Sequence, residues 1–254
     1  MIITNASKRA DLVEAGKRLA RILAVLQREV RPGVTAEDLD DMAEKLIRDG
    51  GDVPAFLGYK PAGARRPYPA SLCVSINDEI VHGVPNESQK ILREGDIVGL
   101  DLGLSHAGVI VDAAVTVPVG TVDEESKKLM RATKNALEAG IAQAIPGNHM
   151  GDISHAIQKE IESAGFAVVK ELGGHGVGDT VHEEPFIPNY GRPGTGPELL
   201  EGMVLALEPI ATAGKAAVVL APDSYTFRTK DGSRSAHFEH TILLEKGGAR
   251  IITA

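Results

Sequence analysis

Four acids and one histidine stand where their side chains need a reason. Asp101 and Asp112 are the only acids between Asp96 and Asp123. Each lies in an apolar run, 97–103 and 109–117, that reads as one arm of a β-hairpin. With Ser105-His106-Ala107-Gly108 as the loop, the two aspartates face each other across the strands at about 5 Å. Their face is otherwise small (Gly99, Gly103, Ala114) apart from Ile110, and the other face is Val98, Leu100, Leu102, Val111 and Val115. Facing carboxylates repel, more so when partly buried. A shared proton, a cation between them, or a bulge that turns one of them to solvent would each relieve this. Glu208, after Met203-Val204-Leu205-Ala206-Leu207, and Glu239, before His240-Thr241-Ile242, sit at the polar mouths of apolar strands. An acid there either faces water or is buried with a partner or a metal. His175 belongs to the run 172–185, in which His175 and His182 stand seven residues apart among four glycines. Each Gly in a helix interior costs about 1 kcal/mol relative to Ala. The run is therefore a loop or irregular strand whose backbone comes close to something, a metal centre with its substrate being the expectation.

If these five converge, they carry too many anions for one zinc, since a catalytic zinc takes three protein ligands and water. Mainly oxygen donors with one imidazole suit two divalent ions about 3.5–4 Å apart, sharing carboxylates. Such a set accepts Mn, Fe(II), Co or Zn without choosing among them. A carboxylate dyad without metal would leave His175 and the two glutamates unexplained. Other chemistries fit poorly. Gly174-His175-Gly176-Val177-Gly178 lacks dinucleotide-binding spacing, and His182-Glu183-Glu184-Pro185 has no second histidine four residues on. There is no Gly-x-Ser-x-Gly elbow, and Cys73 lies in an apolar strand as core or pocket lining.

The elements that must position these groups follow from caps and breakers. Ser7 can cap a helix to about residue 30, with Leu12, Ala15, Leu19, Ile22, Leu23 and Leu26 on one face. Pro32-Gly33 ends it, and Thr35 with Asp38 opens a second helix that closes at Gly50-Gly51. Thr121-Val122-Asp123-Glu124 reads as a capping box for a third helix to about 144, and a fourth spans about 151–164. Strands are expected at 71–76, 166–171, 204–209, 216–221 and 236–244. Pro188 to Gly202 holds three prolines and four glycines, so it is a surface loop. Helix, Pro-Gly, helix, strands occurs twice. Pro32-Gly33, Asp38, Leu39, Lys45, Ile47 and Gly51 align at one offset with Pro146-Gly147, Asp152, Ile153, Lys159, Ile161 and Gly165. The expectation is a single domain, 1–254, of α+β class. Two pseudo-symmetric halves, about 8–118 and 121–254, would close one mixed, mainly antiparallel sheet with the site between them.

A net charge of −8 gives no basic face of the kind nucleic acid requires, so DNA is not an expected partner. One cysteine allows no intrachain disulfide and suits a reducing compartment. No apolar run approaches membrane-span length and no signal peptide is evident, so a cytoplasmic protein is expected.

The ordered set Asp101, Asp112, His175, Glu208 and Glu239 is similar to the dinuclear-metal ligands of the methionine aminopeptidases of the pita-bread fold, peptidase family M24. The words around it agree: Ser75-Ile76-Asn77-Asp78-Glu79-Ile80-Val81-His82-Gly83, His182-Glu183-Glu184-Pro185, Leu207-Glu208-Pro209 and Phe238-Glu239-His240-Thr241-Ile242. The resemblance runs from about Lys8 to the end. With no long insertion or N-terminal extension, the chain looks like the short bacterial type I form. The resemblance implies two divalent ions, with Asp101 chelating one, Asp112 and Glu239 bridging, and His175 and Glu208 completing a site. Glu208 would also shuttle a proton, and His82 and His182 would bind substrate and hydrogen-bond the reacting peptide. A methionine pocket would draw on Phe56, Tyr59, Tyr68, Cys73 and Tyr225. The implied reaction is removal of the initiator methionine from nascent chains when the second residue is small, by a monomer in possible transient contact with the ribosome. An X-Pro dipeptidase of the same fold and a non-catalytic peptide- or nucleic-acid-binding module are the alternatives. The chain departs from the family pattern at Phe56, at Tyr225, at His237 (often Gln) and in a longer loop at 59–68.

Overall fold

The computed structural model describes all residues, 1–254. Helix α1 spans Ala6–Glu29 and α2 spans Ala36–Asp49. After them come β1 (Val53–Pro54), β2 (Leu72–Ile76), β3 (Glu79–Val81), β4 (Ile97–His106) and β5 (Val109–Pro118). Helices α3 (Glu124–Gln143) and α4 (Met150–Ser163) open the second half. They lead to β6 (Ala167–Val168), β7 (Gly173–Gly176), β8 (Glu183–Pro188), β9 (Val204–Leu207) and β10 (Ile210–Thr212). Strands β11 (Val218–Leu220), β12 (Phe227–Thr229), β13 (Ser235–His237), β14 (His240–Glu245) and β15 (Gly248–Ile251) complete the chain.

The capping chemistry needs two corrections. Asn5, not Ser7, caps α1, its Oδ1 accepting the Ser7 N–H at 2.8 Å. Asp123, not Thr121, caps α3, its Oδ1 accepting the Ser126 N–H at 2.7 Å. In both cases the side chain used belongs to the last extended residue before the helix, within reach of an orphan N–H. Thr35 and Asp38 form the expected reciprocal box on α2.

The β4–β5 hairpin also corrects the reading. Its turn is the two residues Ala107-Gly108, both left-handed at φ 49° and 78°, so His106 pairs with Val109. Two positive-φ residues match the twist of the flanking strands, and that favours a tight turn over a four-residue loop. Asp101 therefore pairs with Ala114 and Asp112 with Gly103. The aspartates share a face but sit diagonally, two residues out of register with the pair Leu102–Ala113 between them, instead of directly opposite.

Every pairing between named strands is antiparallel, and the strands fall into four hydrogen-bonded sheets instead of one continuous sheet. One interruption falls at Pro209, between β9 and β10, where a donor is missing. Two apolar cores flank the strands. One joins α1 and α2 to β4 and β5, and the other joins α3 and α4 to β9 and β14. The expected buried face of α1 is the observed one.

Candidate metal centre

A seam of hydrogen bonds along β5 brings the two halves together. The Glu239 N–H donates to the Ala114 carbonyl at 2.9 Å, and the Ala114 N–H donates back at 3.3 Å. Thr241 Oγ1 accepts the Asp112 N–H at 2.9 Å and donates to the Asp112 carbonyl at 2.7 Å. Thr116 does the same for His237, accepting its N–H at 2.9 Å and donating to its carbonyl at 2.8 Å. These latches lay Glu239 beside Asp112. Neither threonine drew attention in the sequence, where a Thr in a strand is ordinary.

His175 arrives from β7, paired with Ala206 of β9. The β7–β8 register shifts between Gly174 and Gly176: β7 advances two residues while β8 advances four, so the extra residues bulge from β8 opposite His175. Its Nδ1 lies 2.9 Å from the Gly176 carbonyl. Donation there puts the proton on Nδ1 and leaves Nε2 free, 3.6 Å from Glu208 Oε1 and 4.0 Å from Glu239 Oε1. Two of the glycines make room for neighbouring strands. A Cβ on Gly174 would lie 2.3 Å from the Ala206 carbonyl oxygen, and one on Gly176 2.4 Å from that of Glu184.

The donor set fits divalent ions. Asp112, His175 and Glu239 are buried, and each has a ligand atom within 4.8 Å of the others. Asp101 Oδ1, Asp112 Oδ1 and Glu239 Oε1 are buried without a hydrogen-bond partner, a costly state for a carboxylate unless a cation compensates. Burial pushes Asp101 up to about 6. Burial, then the nearby Asp101 and Glu208, lifts Asp112 well above the carboxylate range. Glu239 is raised likewise by burial, then by Asp112, Glu208 and Asp101. Glu208 goes the other way. Burial raises it, but His237, and after it His175 and His82, bring it below its ordinary value.

Without ions the site therefore retains protons, and an incoming cation must displace them. We expect affinity for Mn or Co to rise with pH through about 6, with about one proton or more released per chain at pH 6. Calorimetry in buffers of different ionisation enthalpy measures this. Proton-free binding at pH 6 would show that the acids are already ionised.

A cavity of about 240 Å³ opens above this centre, and all twelve of the sequence-derived site residues line it. Phe56, Tyr68, Cys73, Val181 and Tyr225 form a separate buried apolar cluster at one side. Gly103 makes room for Phe56, since a Cβ there would lie 2.6 Å from the ring. Burial, then Asp101, pushes the Cys73 thiol well up, so it serves as wall and not as nucleophile. Pro61 and Ala64 of the longer loop also face the cavity, a placement the sequence did not reveal. The loop is tied down by Arg66, which pairs with Glu87, donates to the Asp223 carbonyl at 3.0 Å and accepts the Tyr225 hydroxyl at its own carbonyl.

His82 (φ 57°) stands edge-on to Phe227, and burial lowers its pKa to about 4. The His182 ring lies 4.5 Å from that of His175, and its Nδ1 is 3.1 Å from the Tyr59 hydroxyl. Enclosure in the cleft, then the neighbouring His175 and His82, lowers the His182 pKa. The ring meets water on the cleft side, so only part of that shift is retained. Both imidazoles are neutral at pH 7. Beyond them a second chamber of about 440 Å³ continues past Glu171, Glu183, Glu184 and Phe186.

The model of metallopeptidase family M24 matches residues 10–246. The chain belongs to that family. Over its whole length this M24 peptidase is 42% identical to a methionine aminopeptidase of Clostridium acetobutylicum, 98% of which is covered. The crystal structure of a methionine aminopeptidase from Thermotoga maritima superposes with a TM-score of 0.94 at 44% identity, covering 100% of this chain and 99% of that one. Family, enzyme class and pita-bread fold thus agree with the sequence reading. A prolidase from Pyrococcus horikoshii matches with a TM-score of 0.76 at 22% identity. This chain spans 63% of its length, and that likeness shows the fold alone. No helix of the M24 peptidase is long and apolar enough to cross a membrane.

Proposed function

We propose that this M24 peptidase removes the N-terminal methionine of nascent proteins whose second residue is small. The observation that carries the reading is a cluster of unpartnered buried carboxylates at the floor of a cleft whose side wall is an apolar pocket. Asp101, Asp112, His175, Glu208 and Glu239 hold two divalent ions, with Mn, Co, Fe(II) and Zn all compatible with the donors. When bound, such ions activate water and polarise the scissile carbonyl. The chain's own groups do the rest. Glu208, ionised at neutral pH, takes a proton and returns it to the leaving amine. His82 and His182, neutral, donate N–H hydrogen bonds where negative charge develops on the peptide. Phe56, Tyr59, Tyr68, Cys73 and Tyr225 receive the methionine side chain.

The decisive assay follows release of Met from Met-Ala-Ser, against Ala-Pro and Leu-amide substrates, after chelation and readdition of each metal. Absence of metal-dependent Met release would sink the proposal, and preference for Ala-Pro would move the chain to the dipeptidase reading. The loop at 59–68 roofs the pocket in this account. Arg66→Ala, which unties it, should raise KM for Met-Ala-Ser about fivefold with kcat and metal content little changed. An unchanged KM would take the loop out of substrate binding.

The same proposal covers organisation and setting. The protein acts as a cytoplasmic monomer, and any ribosome contact is transient. It is one domain of two duplicated halves, about 8–118 and 121–254. Supporting this, α2 and α4 share one offset at both ends (36 to 150, 49 to 163), as do β1 and β6 (53 to 167, 54 to 168).

A further inference from the structure

One buried polar atom at the centre has no place in the ligand set. His237 is 4% exposed, and its Nε2 has no hydrogen-bond partner. That nitrogen lies 3.4 Å from Glu208 Oε2 and 3.9 Å from Glu239 Oε2. The two glutamates are thus bracketed by imidazoles: each offers one oxygen to His175 and the other to His237. The His237 backbone is fixed beside Glu208, because Thr116 bonds its N–H and carbonyl and it pairs with Ile210, two residues beyond Glu208. A metal-ligating histidine almost always donates its second ring N–H to a neighbour, as His175 does to Gly176. The structure contains no hydrogen bond to His237 Nδ1.

We propose that His237 is a positioning residue of the metal centre: its Nε2–H donates to Glu208 Oε2 and so turns Glu208 Oε1 toward the ion beside His175. The inference rests on the ligand set proposed above. Substrate need not touch His237; it acts through Glu208.

The test is calorimetric affinity for Mn and Co in wild type, His237→Leu and His237→Gln, with the melting temperature of each metal-free protein recorded. His237→Leu should bind the first ion about ten- to a hundredfold more weakly, the usual effect of losing a hydrogen-bond partner behind a ligand. His237→Gln keeps an N–H donor and should stay within about threefold of wild type. Equal affinity in His237→Leu overturns the role while leaving the dinuclear reading intact. A wild-type protein that binds no divalent ion overturns that reading first. If His237→Leu does not fold, the comparison rests on His237→Gln and the Co(II) visible spectrum. An unchanged spectrum supports positioning, whereas the shift expected on loss of a nitrogen ligand makes His237 a ligand and overturns it.

Discussion

Asp112→Asn should abolish metal-dependent release of methionine while making the metal-free protein more stable. The substitution keeps the shape of the side chain and removes one charge from the most crowded position of the centre. Ions at such a site supply several kcal/mol of transition-state stabilisation, so loss of one of the proposed ligand carboxylates should cost at least about a thousandfold in turnover. Bound metal per chain should fall as well. The stability gain has the opposite origin. The folded-state pKa of Asp112 is raised by burial and by Asp101 and Glu208, so its contribution is favourable at low pH and is lost as pH rises toward that value. Asparagine never ionises. At pH 8 the metal-free variant should therefore be more stable than the wild type by about 1–3 kcal/mol, and the advantage should vanish near pH 4. Urea unfolding with chelator present at the two pH values measures it. Equal stability at pH 8 would mean that the acids do not crowd one another.

His182→Ala should separate binding of metal from its use. The ring meets that of His175 edge-on but is absent from the cluster of ligand atoms, and its Nδ1 lies beside the Tyr59 hydroxyl. Metal content by elemental analysis should match wild type. Turnover of Met-Ala-Ser should fall about 10²- to 10³-fold, the range for loss of one donor to developing negative charge. The acid limb of the pH profile should remain, since His182 is already neutral at pH 7. Unchanged turnover would remove His182 from the reaction, and lost metal would make it part of the centre.

The site was more legible in the sequence than the framework that assembles it. A carboxylate in an apolar strand is conspicuous, because burial without a partner is costly, and all four acids stood out for that reason. Helices were readable through amphipathic spacing and caps. What escaped was information carried by small or ordinary residues. Ala107 gives no hint that it adopts a left-handed conformation, and so the expected hairpin register differs from the observed one by two residues. Thr116 and Thr241 join the two halves through bonds whose partners lie 121 and 129 residues away. The glycines around His175 are visible in the sequence, but the close approach of the neighbouring strands to Gly174 and Gly176 is not. Periodicity reports a residue's local environment, and these contacts are non-local.

The seam along β5 bears on how the enzyme is made. Asp101 and Asp112 leave the ribosome early, His175 and Glu208 later, and Glu239 comes last of the five. Glu239 reaches Asp112 only when its own peptide group has docked on Ala114, with Thr241 locking beside it. A growing chain thus carries the first two aspartates for about half of its synthesis without the last partner of the proposed ion site. Under the proposed ligand set, metal capture waits on closure of the two halves.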